Sequence, residues 1–174
     1  MILCKVPYRV PLVGGGTDLD FYYKKRGGCL ISASINQYVF IGLAKRLLHR
    51  NNFVQTTDVQ FAENIDQINN RIIRASLNFF KIKNFIHITT FSTVPTKTGL
   101  GSSSSVVVGL VDAISKFLGK NIDAMKKYRI GYHIERKILK MDGGHQDQVM
   151  AAYGGIQKIK IQKNGAIKIS KFKI

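Results

Sequence analysis

Acidic residues are scarce: 10 Asp and Glu stand against 27 Lys and Arg in 174 residues, giving a formal net charge of +17 and a pI near 10.1. This excess has two readings. One is attraction for polyanions, either nucleic acid or phosphorylated small molecules; the other is lysines scattered over solvated faces, as at Lys116, Lys120, Lys126, Lys127, Lys158 and Lys160. Cysteine is nearly missing. Cys4 and Cys29 fit no Cys-x-x-Cys or zinc spacing and are too few for a disulfide framework, so both read as reduced core residues and no transition-metal site is in view. No apolar run approaches the ~20 residues of a membrane span, and the N-terminus lacks a basic segment followed by a signal-peptide core. Membrane partners are set aside and the cytoplasm is the expected compartment. Of only three prolines, Pro7 and Pro11 fall inside the β-rich run Cys4–Val13, which therefore suits only an edge or irregular strand.

What the chain does have is 45% hydrophobic content, enough for one substantial core and one domain. It is organised around Pro95-Thr96-Lys97-Thr98-Gly99-Leu100-Gly101-Ser102-Ser103-Ser104-Ser105. The preceding run, Phe85–Phe91, reads as a strand. Beyond the serines, Val107, Leu110, Val111, Ile114 and Leu118 recur at helical spacing, so a helix starts at the serines and buries that stripe. The first turn of a helix leaves N–H groups without partners and carries the positive end of the dipole. Glycines let the backbone approach a guest, and hydroxyls add donors and metal-ligand oxygens. The stretch is either a serine cap or a phosphate site.

Two familiar phosphate loops do not fit. No glycine precedes Lys-Ser or Lys-Thr as a P-loop requires. Gly99-Leu100-Gly101-Ser102-Ser103-Ser104 comes nearer the dinucleotide fingerprint, with Asp123 about 20 residues on, but Asn121-Ile122-Asp123 reads as a helix cap and not as the end of a second strand.

Elsewhere, Gly14-Gly15-Gly16 marks a turn or a close approach by a ligand or another backbone. Cys29–Ile35 and Tyr38–Leu43 read as two runs joined by a short polar turn, a hairpin or adjacent strands. Short strands are expected at Phe53–Gln55 and Val59–Phe61, and a core helix from Asn64 through Phe80. In the helix from about Ile122 to Leu139, residues Met125, Tyr128, Tyr132, Glu135 and Leu139 share one side, placing a carboxylate inside an apolar stripe. Such a group must be protonated or meet a cation, by salt bridge or by metal. Glycines end this helix at Met141-Asp142-Gly143-Gly144, and Asp147 beyond them is a turn former, a helix cap or a functional acid. His145 reads as an exposed loop residue. Lys158–Gln162 and Ala166–Ile174 flank Asn164-Gly165 as a hairpin whose return strand ends with the chain.

Pro-Thr-x-x-Gly-Leu-Gly-Ser-Ser-Ser resembles the nucleotide-binding loop of the GHMP kinases. Pro7–Asp18 is similar to that family's first motif, in which Pro-Gly-Arg-Val-Asn-Leu-Ile-Gly precedes Thr-Asp. Gly15-Gly16, where galactokinases carry Glu-His, resembles the heptose-kinase branch instead, as do Gly27–Ile35 and His145–Gly155. Three motifs in order over nearly the whole chain carry this resemblance. It implies an α+β fold, the N-terminal GHMP domain, with a two-layer arrangement of sheet and helices and a left-handed β-α-β crossover, a hand that periodicity cannot supply. It implies that residues 1–174 form that domain and that the family's second, C-terminal domain is absent. It further implies an ATP-dependent sugar kinase. By resemblance, Gly99, Leu100, Gly101, Ser102, Ser103 and Ser104 hold the ATP phosphates, Ser103 and Glu135 bind Mg2+, Asp147 is the catalytic base with Arg9 holding it ionised, and Gly16, Thr17 and Asp18 bind substrate. The implied substrate is a sugar or sugar phosphate, best a heptose 7-phosphate attacked through its anomeric hydroxyl. A separate C-terminal domain or a homo-oligomer is the implied partner. Two other readings stand beside it: a basic nucleic-acid-binding module, and an inactive fragment of a split or truncated kinase.

Overall fold

The computed structural model describes residues 1–172 apart from Asn84, Thr96 and Lys97; the Thr96-Lys97 part of the central loop and the last two residues of the return strand, Lys173 and Ile174, lie outside the described residues. Strand β1 spans Ile2–Val13, β2 Gly28–Lys45, β3 Asn52–Gln55, β4 Val59–Ala62, β5 Ile86–Ser92, β6 Ile156–Ile161 and β7 Ile167–Lys171. Helix α1 spans Asp20–Arg26, α2 Arg71–Phe79, α3 Ser102–Phe117, α4 Ala124–Tyr132 and α5 Gln146–Tyr153.

The sheet is mixed, in the order β4-β3-β5-β2-β6-β7, with β1 on β2. The long β2 carries β1 along one edge and β5 and β6 at different ends of the other. β3 and β5 are parallel and the other pairs antiparallel, so the fold is α+β as expected. The proline-bearing β1 pairs with β2 alone, which is the edge position proline tolerates.

Two expectations are corrected. Cys29–Leu43 is not a hairpin but one continuous strand. Pro7 pairs with Tyr38 and Arg9 with Ser34, so Ile35, Asn36 and Gln37 bulge opposite Tyr8 alone. The bulge absorbs the polar residues without turning the chain. The helix from Asn64 is also broken: Asn64 accepts from the Gln67 N–H to close a single 3-10 turn over Ile65–Gln67, and Asn70 then caps α2, accepting from the N–H groups of Ile72 and Ile73. Two local caps overrode one continuous apolar stripe.

The core lies between the sheet and the helices. Val6, Tyr8, Ile41, Leu43, Ile86 and Ile88 pack against Val108, Leu110 and Ile114 of α3. Two glycines set the spacing. A Cβ on Gly109 would lie 2.7 Å from Ile41 Cγ1, and one on Gly131 would lie 2.9 Å from Val108 Cγ2, so α3 sits closely on the sheet and α4 closely on α3. This seating brings the serine end of α3 against the segment after α4. Cys4 is buried in the core as expected; Cys29 is exposed, because β2 alternation turns it to the face opposite the buried Leu30.

Candidate active site

α3 begins at Ser102, after Gly101 in a left-handed conformation (φ 78°, ψ 29°), and no side chain caps it among the described residues. The serines therefore do not serve as the cap. Ser103 Oγ donates to Glu135 Oε1 and Ser104 Oγ to Glu135 Oε2, each at 2.6 Å, while Ser105 Oγ donates to the Pro7 carbonyl. The first-turn N–H groups keep the free polarity that attracts an anion. Ser102 and Ser103 also line a cavity of about 760 Å3 with Tyr8, Asn70, Val94 and Val106, between the start of α2 and the end of β5. The β3–β4 turn contributes Thr56 and Thr57. Thr56, Thr57, Asn70, Val94 and Val106 of this rim belong to no motif, so the sequence alone did not single them out.

Glu135 belongs to a π-helical segment, His133–Ile138, that continues α4. The wider turn, with more residues to each revolution, shifts the helix phase. Glu135 thus faces the serines of α3, while Tyr128 remains in a different cluster with Val149 and Met150. Of the two cations the sequence left open for this carboxylate, the structure supplies the salt-bridge partner and adds neutral donors beside it. Besides the serines, Glu135 accepts from Gln148 Nε2 at 2.6 Å and lies 3.5 Å from the Arg136 guanidinium, with its side chain 2% exposed. Gln148 is buried, also donates to Ser104 Oγ at 3.1 Å, and leaves Oε1 without a partner. Sequence reasoning passed over Gln148, although its position next to Asp147 was the available signal.

Asp147 lies in the first turn of α5. Arg9 of β1 reaches it with Nε at 2.7 Å and Nη2 at 2.6 Å, both to Oδ1, and donates Nη1–H to the Gly99 carbonyl at 2.7 Å. The Arg9 backbone N–H reaches the Leu100 carbonyl at 3.3 Å. A Cβ on Gly101 would lie 3.2 Å from Asp147 Cγ, so the loop passes directly over the carboxylate. The ion pair was expected; its balance was not. Burial pushes the Asp147 pKa above the ordinary carboxylate value, and Arg9 opposes that without cancelling it, while nearby Asp18 adds to the rise.

Asp18, 4% exposed, accepts the Gln146 N–H at 2.9 Å and so supplies a carboxylate to the start of α5, one residue before Asp147. A Cβ on Gly144 would lie 2.1 Å from Asp18 Oδ2, so this approach needs glycine. Thr17 is occupied differently. Its hydroxyl donates to the Gly14 carbonyl at 2.7 Å and accepts from the Cys29 N–H at 3.2 Å, closing the glycine turn onto β2. Gly16 has φ +85° with open space where a Cβ would stand. The structure thus joins Arg9, Gly99, Leu100, Gly101, Asp147 and Asp18 in one contact network. Through Gln148 this meets Ser103, Ser104 and Glu135. Among the described residues the Thr17 hydroxyl bonds to neither group, only to Gly14 and Cys29.

His145 corrects a further expectation: it is 5% exposed, stacked on Tyr132 at 4.2 Å between centroids, with Nδ1 2.7 Å from the Tyr128 hydroxyl. Its burial among tyrosines pushes the imidazole pKa below its ordinary value, with Asp18 and Asp20 opposing.

Among the described residues no helix is long and apolar enough to cross a membrane, and no cluster of three or more His, Cys, Asp or Glu forms a metal cage. The sequence model of the GHMP kinases N terminal domain matches residues 68–155. D-glycero-alpha-D-manno-heptose 7-phosphate kinase of Campylobacter jejuni is 30% identical over 187 aligned positions, covering 99% of this chain and 54% of that protein. Mevalonate kinase of Saccharolobus solfataricus is 35% identical over 86 positions, covering 49% of this chain and 27% of that one. Among solved structures, a D-glycero-D-manno-heptose 1-phosphate kinase from Bacteroides thetaiotaomicron superposes with a TM-score of 0.91 at 26% identity, covering all of this chain and 60% of that one. The chain thus spans little more than half the length of its full-coverage relatives, and by the matching family model and the 30% identity over almost its whole length it belongs to the GHMP kinase family.

Proposed function

We propose that residues 1–174 act as the nucleotide-binding domain of an ATP-dependent sugar kinase whose acceptor is the anomeric hydroxyl of a heptose 7-phosphate, with a separate C-terminal domain or a second copy completing the cleft. One observation carries the reading: a single guanidinium, Arg9, ties the glycine loop to the carboxylate of Asp147. This sets an anion-binding helix start beside a group able to take a proton, the two things phosphoryl transfer asks of a protein. The names of the heptose kinases among the relatives favour a seven-carbon acceptor.

In this mechanism the N–H groups of Gly99 to Ser104 hold phosphate oxygens. Asp147 orients the acceptor hydroxyl and takes its proton as the new bond forms, and Arg9 fixes the carboxylate's direction. The rise in Asp147's pKa makes it a better base than an ordinary aspartate. Asp18 and Gly16 face the acceptor from the first glycine turn. Thr17 shapes that turn through its backbone contacts and adds an acceptor contact only in concert with it. Ser103 and Glu135 offer one hydroxyl and one carboxylate oxygen, a hard-oxygen pair that suits Mg2+ when phosphates and waters supply the rest. There the ion would neutralise phosphate charge.

Thermal unfolding with and without MgATP tests the nucleotide half, since a ligand of the native state raises Tm. Asp147→Asn is expected to keep that shift and to lower transfer to heptose 7-phosphate by roughly 10²–10⁴-fold. Transfer at the parent rate would remove the base assignment. A chain stabilised by MgATP that phosphorylates no sugar phosphate would return the inactive-fragment reading.

A further inference from the structure

The helices cover one face of the sheet, and the strand residues that alternate with the core form the other. Across that open face Phe61, Phe53, His87 and Ala44 stand in register in one row, and Phe91, Phe40 and Lys5 in another. The rings touch. Phe40 stacks on Phe91 at 4.5 Å and 8°, and Phe53 meets Phe61 at 5.1 Å and His87 at 4.4 Å edge to face. Phe91 and Phe61 are nevertheless 56% and 60% exposed.

Cations accompany them. The Arg46 guanidinium lies 5.7 Å from the ring centres of both Phe53 and Phe61, and Lys5 Nζ 3.7 Å from that of Tyr38. Toward β7 the same face continues with Cys29, Lys160 and Lys168 in one row and Ile31, Lys158 and Ser170 in the next. None of the chain's ten acidic residues lies in any of the seven strands; Asp58 and Glu63, on either side of β4, come nearest in sequence. At one end Arg46, His49, Phe53, Phe61 and His87 border a hollow of about 620 Å3.

An apolar face alone would suit another apolar surface, and a basic face alone any polyanion. Here partly to largely exposed rings share one face of the sheet with cations that, among the described residues, have no acidic partner. That chemistry matches a ligand presenting both flat π-faces and a regular line of phosphates, which is an unpaired nucleic-acid strand; a duplex hides its bases. A second copy of this chain is disfavoured, because facing surfaces would set lysine against lysine with no acid between them. We propose that the open face of the sheet binds single-stranded nucleic acid, with bases on Phe91 and Phe61 and phosphates on Lys5, Arg46, Lys158 and Lys160. This site lies across the sheet from the kinase network and does not depend on it.

Fluorescence anisotropy of the 174-residue chain with labelled oligo(dT) and oligo(U) of about 16 nucleotides tests it. Expected are affinity that drops steeply between about 50 and 200 mM salt, weakening of roughly tenfold in each of Phe91→Ala and Phe61→Ala, and a shallower salt slope in Lys158→Glu/Lys160→Glu. Both rings are more than half exposed, so the variants should keep the parent Tm. Any of these results overturns the proposal: no binding at about 50 mM salt; duplex DNA or heparin competing as well as the oligonucleotides while the Phe variants bind like the parent; preference for anionic phospholipid vesicles; or a dimer that Phe91→Asp dissociates. Displacement by MgATP would move the strand to the helix side and overturn it equally. RNA bound over DNA, or the reverse, supports the proposal and identifies the strand chemistry.

Discussion

The two faces of the sheet treat charge in opposite ways. On the helix side the buried Asp18 and Glu135 and the half-buried Asp147 each have donors: Arg9 for Asp147, the Gln146 N–H for Asp18, and Ser103, Ser104, Gln148 and Arg136 for Glu135. On the open side Lys158, Lys160 and Lys168 stand in strands that hold no acid. A closed network is costly to break and hardly feels salt, because its groups are shielded from water. An open array contributes little to the fold and leaves its field to whatever approaches. A net charge of +17 is thus not spread evenly: the acids that would offset it are spent on the helix side and in loops.

Variants can break that contrast. The largest effect is expected of Glu135→Leu, which strips four donors of their common acceptor and should cost about 3–5 kcal/mol in urea unfolding. Loss of under 1 kcal/mol would mean the network is looser than its distances. Gly144→Ala comes next, because the added Cβ collides with Asp18 and should cost roughly 1–3 kcal/mol while displacing the start of α5; wild-type stability would show that the Asp18 contact yields freely. A pH scan probes the buried imidazole. His145 has its folded pKa depressed, so the unfolded chain takes up the proton first as pH falls. Stability should hold above the unfolded value near 6.5 and decline as pH drops below it. His145→Phe should flatten that decline in Tm, and an unchanged slope would assign it to other groups. Smallest of all, Lys158→Glu/Lys160→Glu on the open face should move stability by no more than about 0.5 kcal/mol; a larger drop would show that the two faces are not so different after all.

Local signals reached far into this molecule. The serine run announced the start of α3, the prolines of β1 announced an edge strand, and Asn164-Gly165 announced the turn between β6 and β7. Periodicity failed where a bulge or a cap intervened. The extra residues opposite Tyr8 looked like a turn because alternation merely lost its phase, and the caps at Asn64 and Asn70 interrupted a stripe that would otherwise run on. His145 looked exposed because nothing nearby in sequence reveals that Tyr128 and Tyr132 will enclose it.

Short-range pattern settled which residue types were on hand: a glycine loop before a hydroxyl-rich helix, one acid in an apolar helix, one acid past a double glycine. Those depend on neighbours within a few positions, and sequence displays neighbours. Which partner each acid meets was decided by tertiary contact alone, since Arg9 and Asp147 are 138 residues apart and Ser103 and Glu135 are 32 apart. Only the close seating of α3 and α4, through Gly109 and Gly131, and the extra π turn aim those groups at one another. The gathering of rings and lysines on one side of the sheet is of the same kind, because strand register, not spacing along the chain, puts Phe61, Phe53 and His87 in a single row.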